Sequence, residues 1–232
     1  MDRLTGVAEH LDGDLADTDA LVGNLRDFAR LNRLSGGTRL SRKAIERLGA
    51  AREVSSILDV GTGGADIPVA LLAAARRAGR ELTITATDSR PEVLDAARAA
   101  RPGIERLDGL RLAVGDGRSL PYPDAAFDVA HASLVLHHLE PDDAVAFLRE
   151  LRRVARVGVV VNDLIRAPHF WIGAWLVVHA AARSRFTRHD GPLSVRRAYT
   201  RRELRDLLTK ANLEPVATVV GFAGHRVAIA AR

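Results

Sequence analysis

Cysteine is absent from the 232 residues. That excludes disulfides and thiolate metal centres. Aromatic residues make up 4% of the chain, so side chains on which nucleic-acid bases could stack are scarce. Lysine occurs twice against 32 arginines, and the formal net charge is +5. The arginines are spread along the chain, with a modest cluster at Arg183–Arg205. That distribution reads as compositional bias, and no nucleic-acid partner is expected. Long apolar runs are also missing. The longest, Phe170–Ala182, is broken by His179 and is too short to span a bilayer. The first residues, MDRLTGVAEHLDGDLAD, are polar and acidic, unlike a secretory signal. A cytoplasmic protein without a transmembrane segment is expected. Peripheral membrane contact stays open, and nothing bears on oligomeric state.

Hydrophobic residues at 47% and charged residues at 27% are ordinary for a globular chain, long enough for one α/β domain. Its organising stretch is Val54–Asp66, VSSILDVGTGGAD. Val54, Ile57, Leu58 and Val60 read as a buried parallel strand. The chain then turns through Gly61-Thr62-Gly63-Gly64, and an Ala/Leu-rich helical segment runs to Gly79. Strand, glycine turn and helix in that order make a cofactor cradle, because glycine lets the backbone approach a ligand closely. A dinucleotide fingerprint needs a small residue at the third glycine position, where this chain has Asp66. A carboxylate there would repel a pyrophosphate at the helix N-terminus. No Gly-Lys-Ser/Thr follows, so a P-loop is excluded as well. An acid-lined turn suits a cationic ligand.

LDVGTGGAD resembles motif I of the class I S-adenosylmethionine (SAM)-dependent methyltransferases. The block GDGRSLPYPDAAFD at 115–128 resembles the family's G-D-x-x-x-L-P-[FY]-x-D-x-x-F-D pattern. The segment FARLNRLSGGTRLSRKAI resembles the cap of the ubiquinone/menaquinone C-methyltransferases. The likeness covers about 50–230. It implies a Rossmann-like α/β fold: a seven-stranded sheet, helices on both faces and an antiparallel C-terminal edge hairpin. It also implies a helical cap at 1–49 and a SAM-binding domain at 50–232, with a substrate-covering insert at about 164–199. One departure stands out. The family's Lys-Pro-Gly-Gly turn is missing, and RRVARVGVVVNDL runs directly into the fifth strand.

The cofactor-side residues follow. Asp59, Gly61, Thr62, Gly63 and Asp66 belong to the first turn. Asp88 ends the second strand, where an acid accepts two hydrogen bonds from a ribose diol; its alternative role is a helix cap for Pro91–Ala100, which Ser89 beside it could fill alone. By resemblance Asp116 accepts from the adenine amino group and the Gly117 amide donates to the ring. Ser133 and His138 lie on the carboxyl side of the fourth strand, where open α/β sheets bind ligands. Asn32 is either a turn residue or part of the cap over the cofactor. His137 and His138 carry no metal expectation, because adjacent histidines point apart on a helix and no third ligand stands at suitable spacing.

The insert carries the acceptor chemistry. Phe170, Trp171, Trp175 and Leu176–Val178 either line an acceptor pocket or lipid-facing groove, or form a helix packed on the sheet. Phe186–Pro192 reads as a polar turn. A phenol with a pKa near ~10 needs a base or a nearby cation to lose its proton at neutral pH. His189, His169 and Asp190 are the candidates, with Asp163 behind them. The block from Asn162 to Thr200 resembles a bacterial methyltransferase subgroup associated with polyketide and phenolic-lipid pathways. The expected reaction is methylation of a small hydrophobic phenol or quinol, at oxygen rather than carbon, in secondary metabolism. Carbon methylation of a quinone or polyketide ring is the alternative. A nucleic-acid methyltransferase would carry N/D-P-P-Y/F where this chain has Ala132-Ser133-Leu134-Val135. A catalytically silent SAM-binding protein is the remaining different class.

Overall fold

The computed structural model describes every residue except Asp14, Ala16 and Arg52; parts of the polar N-terminal stretch and of the domain boundary near residue 50 lie outside the described residues. Helices α1 (Thr18–Leu34) and α2 (Gly37–Leu48) open the chain. Strand β1 (Ser56–Val60), helix α3 (Asp66–Arg77), strand β2 (Thr83–Asp88), helix α4 (Pro91–Ala100) and strand β3 (Leu110–Val114) form one half of the sheet. Strand β4 (Phe127–Ser133), helix α5 (Pro141–Val154) and strand β5 (Ala155–Leu164) continue it. Helices α6 (Pro168–Ala181), α7 (Arg185–Arg197) and α8 (Arg201–Lys210) precede strands β6 (Pro215–Val220) and β7 (Arg226–Ala231).

The seven strands lie in the order β3-β2-β1-β4-β5-β7-β6. The first five are parallel, while β7 runs antiparallel between β5 and β6. The order reverses at β1, so β1 and β4 diverge at the carboxyl edge, the place where open α/β sheets hold ligands. Both sheet faces are covered, which is why β1, β4 and β5 read as continuous apolar runs. Phe147, Leu148 and Leu151 of α5 with Leu204 and Leu208 of α8 bury one face. Ile45 and Leu48 of α2 with Ile67, Leu71 and Leu72 of α3 bury the other. Helix α5 passes into β5 with no intervening turn, as the missing Lys-Pro-Gly-Gly segment implies.

The insert differs from its expected form. Phe186–Pro192 is the body of helix α7, not a turn, despite Gly191 and Pro192. Burial of Phe186, Thr187, Asp190 and Val195 outweighs the low helix propensity of those two residues. Ser184 caps the helix by accepting from the Phe186 amide, and Val178 of α6 packs where a Gly191 side chain would stand. Helix α6 is not packed on the sheet. Its Ile172, Trp175, Leu176 and Val177 are exposed and only Val178 is buried. Among the described residues no helix is long and apolar enough to cross a membrane.

Asp128, at the start of β4, pins the opposite edge. It accepts from the amides and hydroxyls of Ser55 and Ser56 at 3.0–3.1 Å and from the Arg156 guanidinium at 2.6 Å. Burial alone would raise its pKa, but these donors outweigh that and hold it below the usual carboxylate range. Its contribution to stability is therefore complete above the unfolded carboxylate pKa of about 3.9 and is lost as pH falls through the lower folded value. Asp128→Ala is expected to lower the unfolding free energy by roughly 1.5–3 kcal/mol at pH 7, with the gap to wild type closing below about pH 4. Urea denaturation across pH 3–7 measures it; a gap that widens with acid contradicts the assignment.

Candidate active site

The glycine turn after β1 is held by geometry that few side chains tolerate. Gly61 has φ +71° and Gly63 φ +52°; a Cβ on Gly61 would stand 2.5 Å from the Val135 side chain. Ala65 (φ +50°) and Leu134 (φ +60°) are also left-handed, a conformation costing an L-residue roughly 1–2 kcal/mol. These strained residues flank Gly61 in the turns after β1 and β4. Such strain collects at functional sites, where surrounding structure enforces it. The Thr62 amide donates to the Thr87 carbonyl at 2.8 Å, locking the turn to β2. The Thr62 hydroxyl is buried with no partner among the described residues.

Three acids line this cradle, each in a different environment. Asp88 at the end of β2 accepts from the Gly63 amide at 3.0 Å and from the Arg90 amide at 3.2 Å. Burial raises its pKa despite those bonds, and each oxygen keeps a lone pair for a further donor. Asp66 opens α3 and accepts from the Asn32 side-chain amide at 3.1 Å; burial raises it too. Asp116 is exposed at the rim, where the Arg118 side chain and amide lower its pKa. Ser89 is exposed. Gly117 is packed against Phe147 and Val60 too closely for any side chain.

Asp59 is placed otherwise than expected. It lies inside the sheet, 4% exposed, and its Oδ1 takes the Nδ1 proton of His131 on β4. His131 Nε2 then accepts from the Ser41 hydroxyl at 2.8 Å, and Ser41 accepts from Asn162 at 2.7 Å. Asn162 accepts from Arg226 Nε at 2.7 Å. The other two guanidinium nitrogens of Arg226 donate to Asn32 at 2.6 Å and to Ser133 at 2.8 Å. Asp59 and Ser133 therefore support the cradle from below instead of lining it freely. Asn32 does not sit in a turn; it ends α1 and joins Arg226 to Asp66. Burial lowers the Arg226 pKa to about 10, still far above neutrality. Leu25 of α1 packs over Gly63 and Gly64.

A second polar cluster stands beyond Val135. His137 Nδ1 donates to Asp163 at 2.7 Å and His138 Nδ1 to Asp12 at 2.8 Å. The two rings lie side by side, centroids 4.2 Å apart, not splayed as expected. Carboxylates from β5 and from the N-terminal segment hold them so. Glu9 is buried beside both, and burial pushes it up to about 7. Arg197 of α7 binds Asp12 and the His138 carbonyl. His189 and Asp190 do come together: His189 Nδ1 donates to Asp190 Oδ1 at 2.8 Å, as does the His10 amide at 3.0 Å. Asp190 is fully buried, and its other oxygen has no partner among the described residues. His169 is not part of this group; it is exposed on α6 and packs on Phe170. His131, Arg226, Glu9 and Asp12 were not anticipated. A histidine inside the apolar β4 run was the one local signal available, since a buried polar residue must find partners.

Comparison with known proteins agrees with this geometry. Residues 58–161 match the family described as "Methyltransferase domain". The chain is therefore similar to methyltransferase domains over that stretch. Over 74 residues it is 35% identical to the ubiquinone/menaquinone biosynthesis C-methyltransferase UbiE of Rickettsia akari, covering 32% of this chain and 30% of that one. Over 154 residues it is 32% identical to the malonyl-[acyl-carrier protein] O-methyltransferase of Halorhodospira halophila, covering 64% and 49%. The matched stretches thus span half or less of these relatives' lengths. A SAM-dependent methyltransferase structure from Aquifex aeolicus shares the fold with TM-score 0.59 at 21% identity, covering 87% of this chain and 96% of that one. Human N-acetylserotonin methyltransferase in complex with SAM gives 0.66 at 14% identity, covering 93% and 56%.

Arg226 is the hub of the buried network at the carboxyl edge. Arg226→Met is expected to lower the unfolding free energy by about 3–5 kcal/mol, as for removal of one partner from a buried charged network. Asn32→Ala, which strips one acceptor from Arg226 and one donor from Asp66, should cost about 1–2 kcal/mol. Equilibrium denaturation decides between this ordering and its reverse.

Proposed function

We propose that this chain transfers the methyl group of SAM to a small hydrophobic phenolic or quinol acceptor, at oxygen. The observation that carries the cofactor assignment is the acidic, left-handed glycine turn: Asp66 and Asp88 stand beside Gly61 and Gly63, both at positive φ. Asp88 would hold the ribose hydroxyls, Asp116 and the Gly117 amide the adenine, and the Gly61–Gly63 backbone the amino-acid end. The unpartnered Thr62 hydroxyl fits a ligand that brings its own polar groups. SAM supplies an already activated methyl group, which leaves the protein to align the acceptor and receive its proton.

The acceptor assignment rests on the insert. Trp175, His179, Arg188, His189 and Pro192 line a groove between α6 and α7, and the adjacent face of α6 is apolar and exposed. A flat apolar ring stacks on such a wall, while His189, oriented by Asp190, stands at its polar end to take the hydroxyl proton. Similarity to a quinone C-methyltransferase favours a second outcome, methylation at ring carbon.

Incubation with labelled SAM and a panel of phenols, hydroquinones and alkylresorcinols, followed by product mass and position, tests both. Label on none of them, with SAM bound, removes the acceptor class. Asp88→Ala is expected to weaken SAM binding by roughly 1–3 kcal/mol through lost charge-assisted hydrogen bonds. Calorimetric titration reads the change, and unaltered affinity refutes the ribose role.

A further inference from the structure

His137 and His138 are oriented as metal-binding histidines are. Each gives its Nδ1 proton to a carboxylate, Asp163 for one and Asp12 for the other. That fixes the tautomer and leaves the lone pair on Nε2. Both Nε2 atoms face one carboxylate. Glu9 Oε1 lies 3.9 Å from His137 Nε2, and Glu9 Oε2 lies 3.9 Å from His138 Nε2. These separations are too long for hydrogen bonds, so Glu9 makes no hydrogen bond to either ring. Glu9 is 2% exposed and His137 also 2%, so the three groups meet away from solvent.

The charge balance points the same way. Glu9, Asp12, Asp163 and Asp190 gather around these two rings. The cations facing them are Arg197, which binds Asp12 and stands 3.8 Å from Glu9, and Arg226, which attracts Asp163 from the far side. Ser194 donates to Glu9 at 3.0 Å, and Arg3 engages Glu140 and backbone carbonyls nearby. The carboxylates outnumber the guanidinium groups, and buried charge requires compensation.

We infer that Glu9, His137 and His138 form a binding site for a divalent transition-metal ion of the zinc type, ligated by the Glu9 carboxylate and the two imidazole Nε2 atoms. The three donor groups lie within 4.8 Å of one another. With metal–ligand bonds of about 2.0–2.2 Å, tetrahedral ligands stand about 3.4 Å apart, so closing the site takes a contraction of roughly half an ångström for each 3.9 Å Glu9–imidazole pair and of at most about 1.4 Å between the imidazoles. Two imidazoles and one carboxylate suit zinc or cobalt and disfavour magnesium and calcium, which take oxygen ligands. Three protein ligands leave a fourth position open. The ion would clamp the N-terminal segment, through Glu9, to the turn after β4. His10, His189 and Asp190 also cluster, but both of the first two bond a single Asp190 oxygen and neither ring is oriented by a separate carboxylate. The inference does not depend on the methyl-transfer assignment.

The test uses the full chain, stripped with a chelator and dialysed. Titration calorimetry with Zn²⁺ is expected to give one equivalent bound, Co²⁺ to give a visible absorption band of a four-coordinate centre, and Zn²⁺ but not Mg²⁺ to raise the melting temperature. Glu9→Gln and His138→Ala are each expected to weaken Zn²⁺ binding by at least about 100-fold, beyond the loss seen for outer-shell partners. His179→Ala, a surface imidazole on α6, should leave it unchanged. Circular dichroism checks folding; where a variant fails to fold, Asp12→Asn replaces it, with a loss of about 10–100-fold expected from misorienting His138. Absence of binding to the wild type, or affinity undiminished in the folded variants, overturns the site.

Discussion

The Arg226 guanidinium is the interaction on which the rest of this structure depends. It comes from β7, an antiparallel strand inserted beside β5, and it is buried at the carboxyl edge. Its three nitrogens reach Asn162 on β5, Asn32 on α1 and Ser133 on β4. Through Asn162 and Ser41 the network continues to His131 and ends at Asp59 on β1. One cation thus ties the C-terminal hairpin, the central strands and the N-terminal cap together. Such a charge is costly to bury. The polar chain around it gives each guanidinium nitrogen a partner, which makes it tolerable and gives the edge a single arrangement.

That arrangement shapes the cradle. With Asp59 engaged by His131, the acids left facing the glycine turn are Asp66 and Asp88. Asn32 holds Asp66, and the Gly63 amide holds Asp88. The strain at Ala65 and Leu134 is carried by the same packing: Val135 against Gly61, and Leu25 over Gly63 and Gly64. A ligand that brings hydroxyls and positive charge finds acceptors already in place.

A second assembly depends on contacts between the two ends of the chain. Glu9, His10 and Asp12 meet His137, His138, Asp190 and Arg197, with the Asp12–Arg197 pair spanning 185 positions. No local pattern marks this. Glu9 and Asp12 sit in a polar stretch that carries no periodicity, and Asp190 falls beside Gly191 and Pro192, which read as a turn. Burial of Phe186 and Val195 against the rest of the domain made that segment a helix and turned Asp190 inward. The exposed apolar face of α6 was legible as an apolar run, but its failure to pack on the sheet was not, because composition does not tell which neighbour a helix finds.

The chain's local signals carried the sheet and the cradle. Apolar runs bounded by turns placed β1, β2, β4, β5 and the final hairpin, and Gly61, Gly63, Asp66 and Asp88 marked a cofactor turn, since strand burial and positive φ leave direct traces in residue type. Folding alone decided which polar groups are free and which are spoken for. Asp59 and Ser133 became supports, His169 was left on the surface, and Glu9 was drawn between two imidazoles. Those outcomes follow from contacts between residues far apart in sequence, and a buried hydrogen bond leaves no trace in either partner's immediate neighbours.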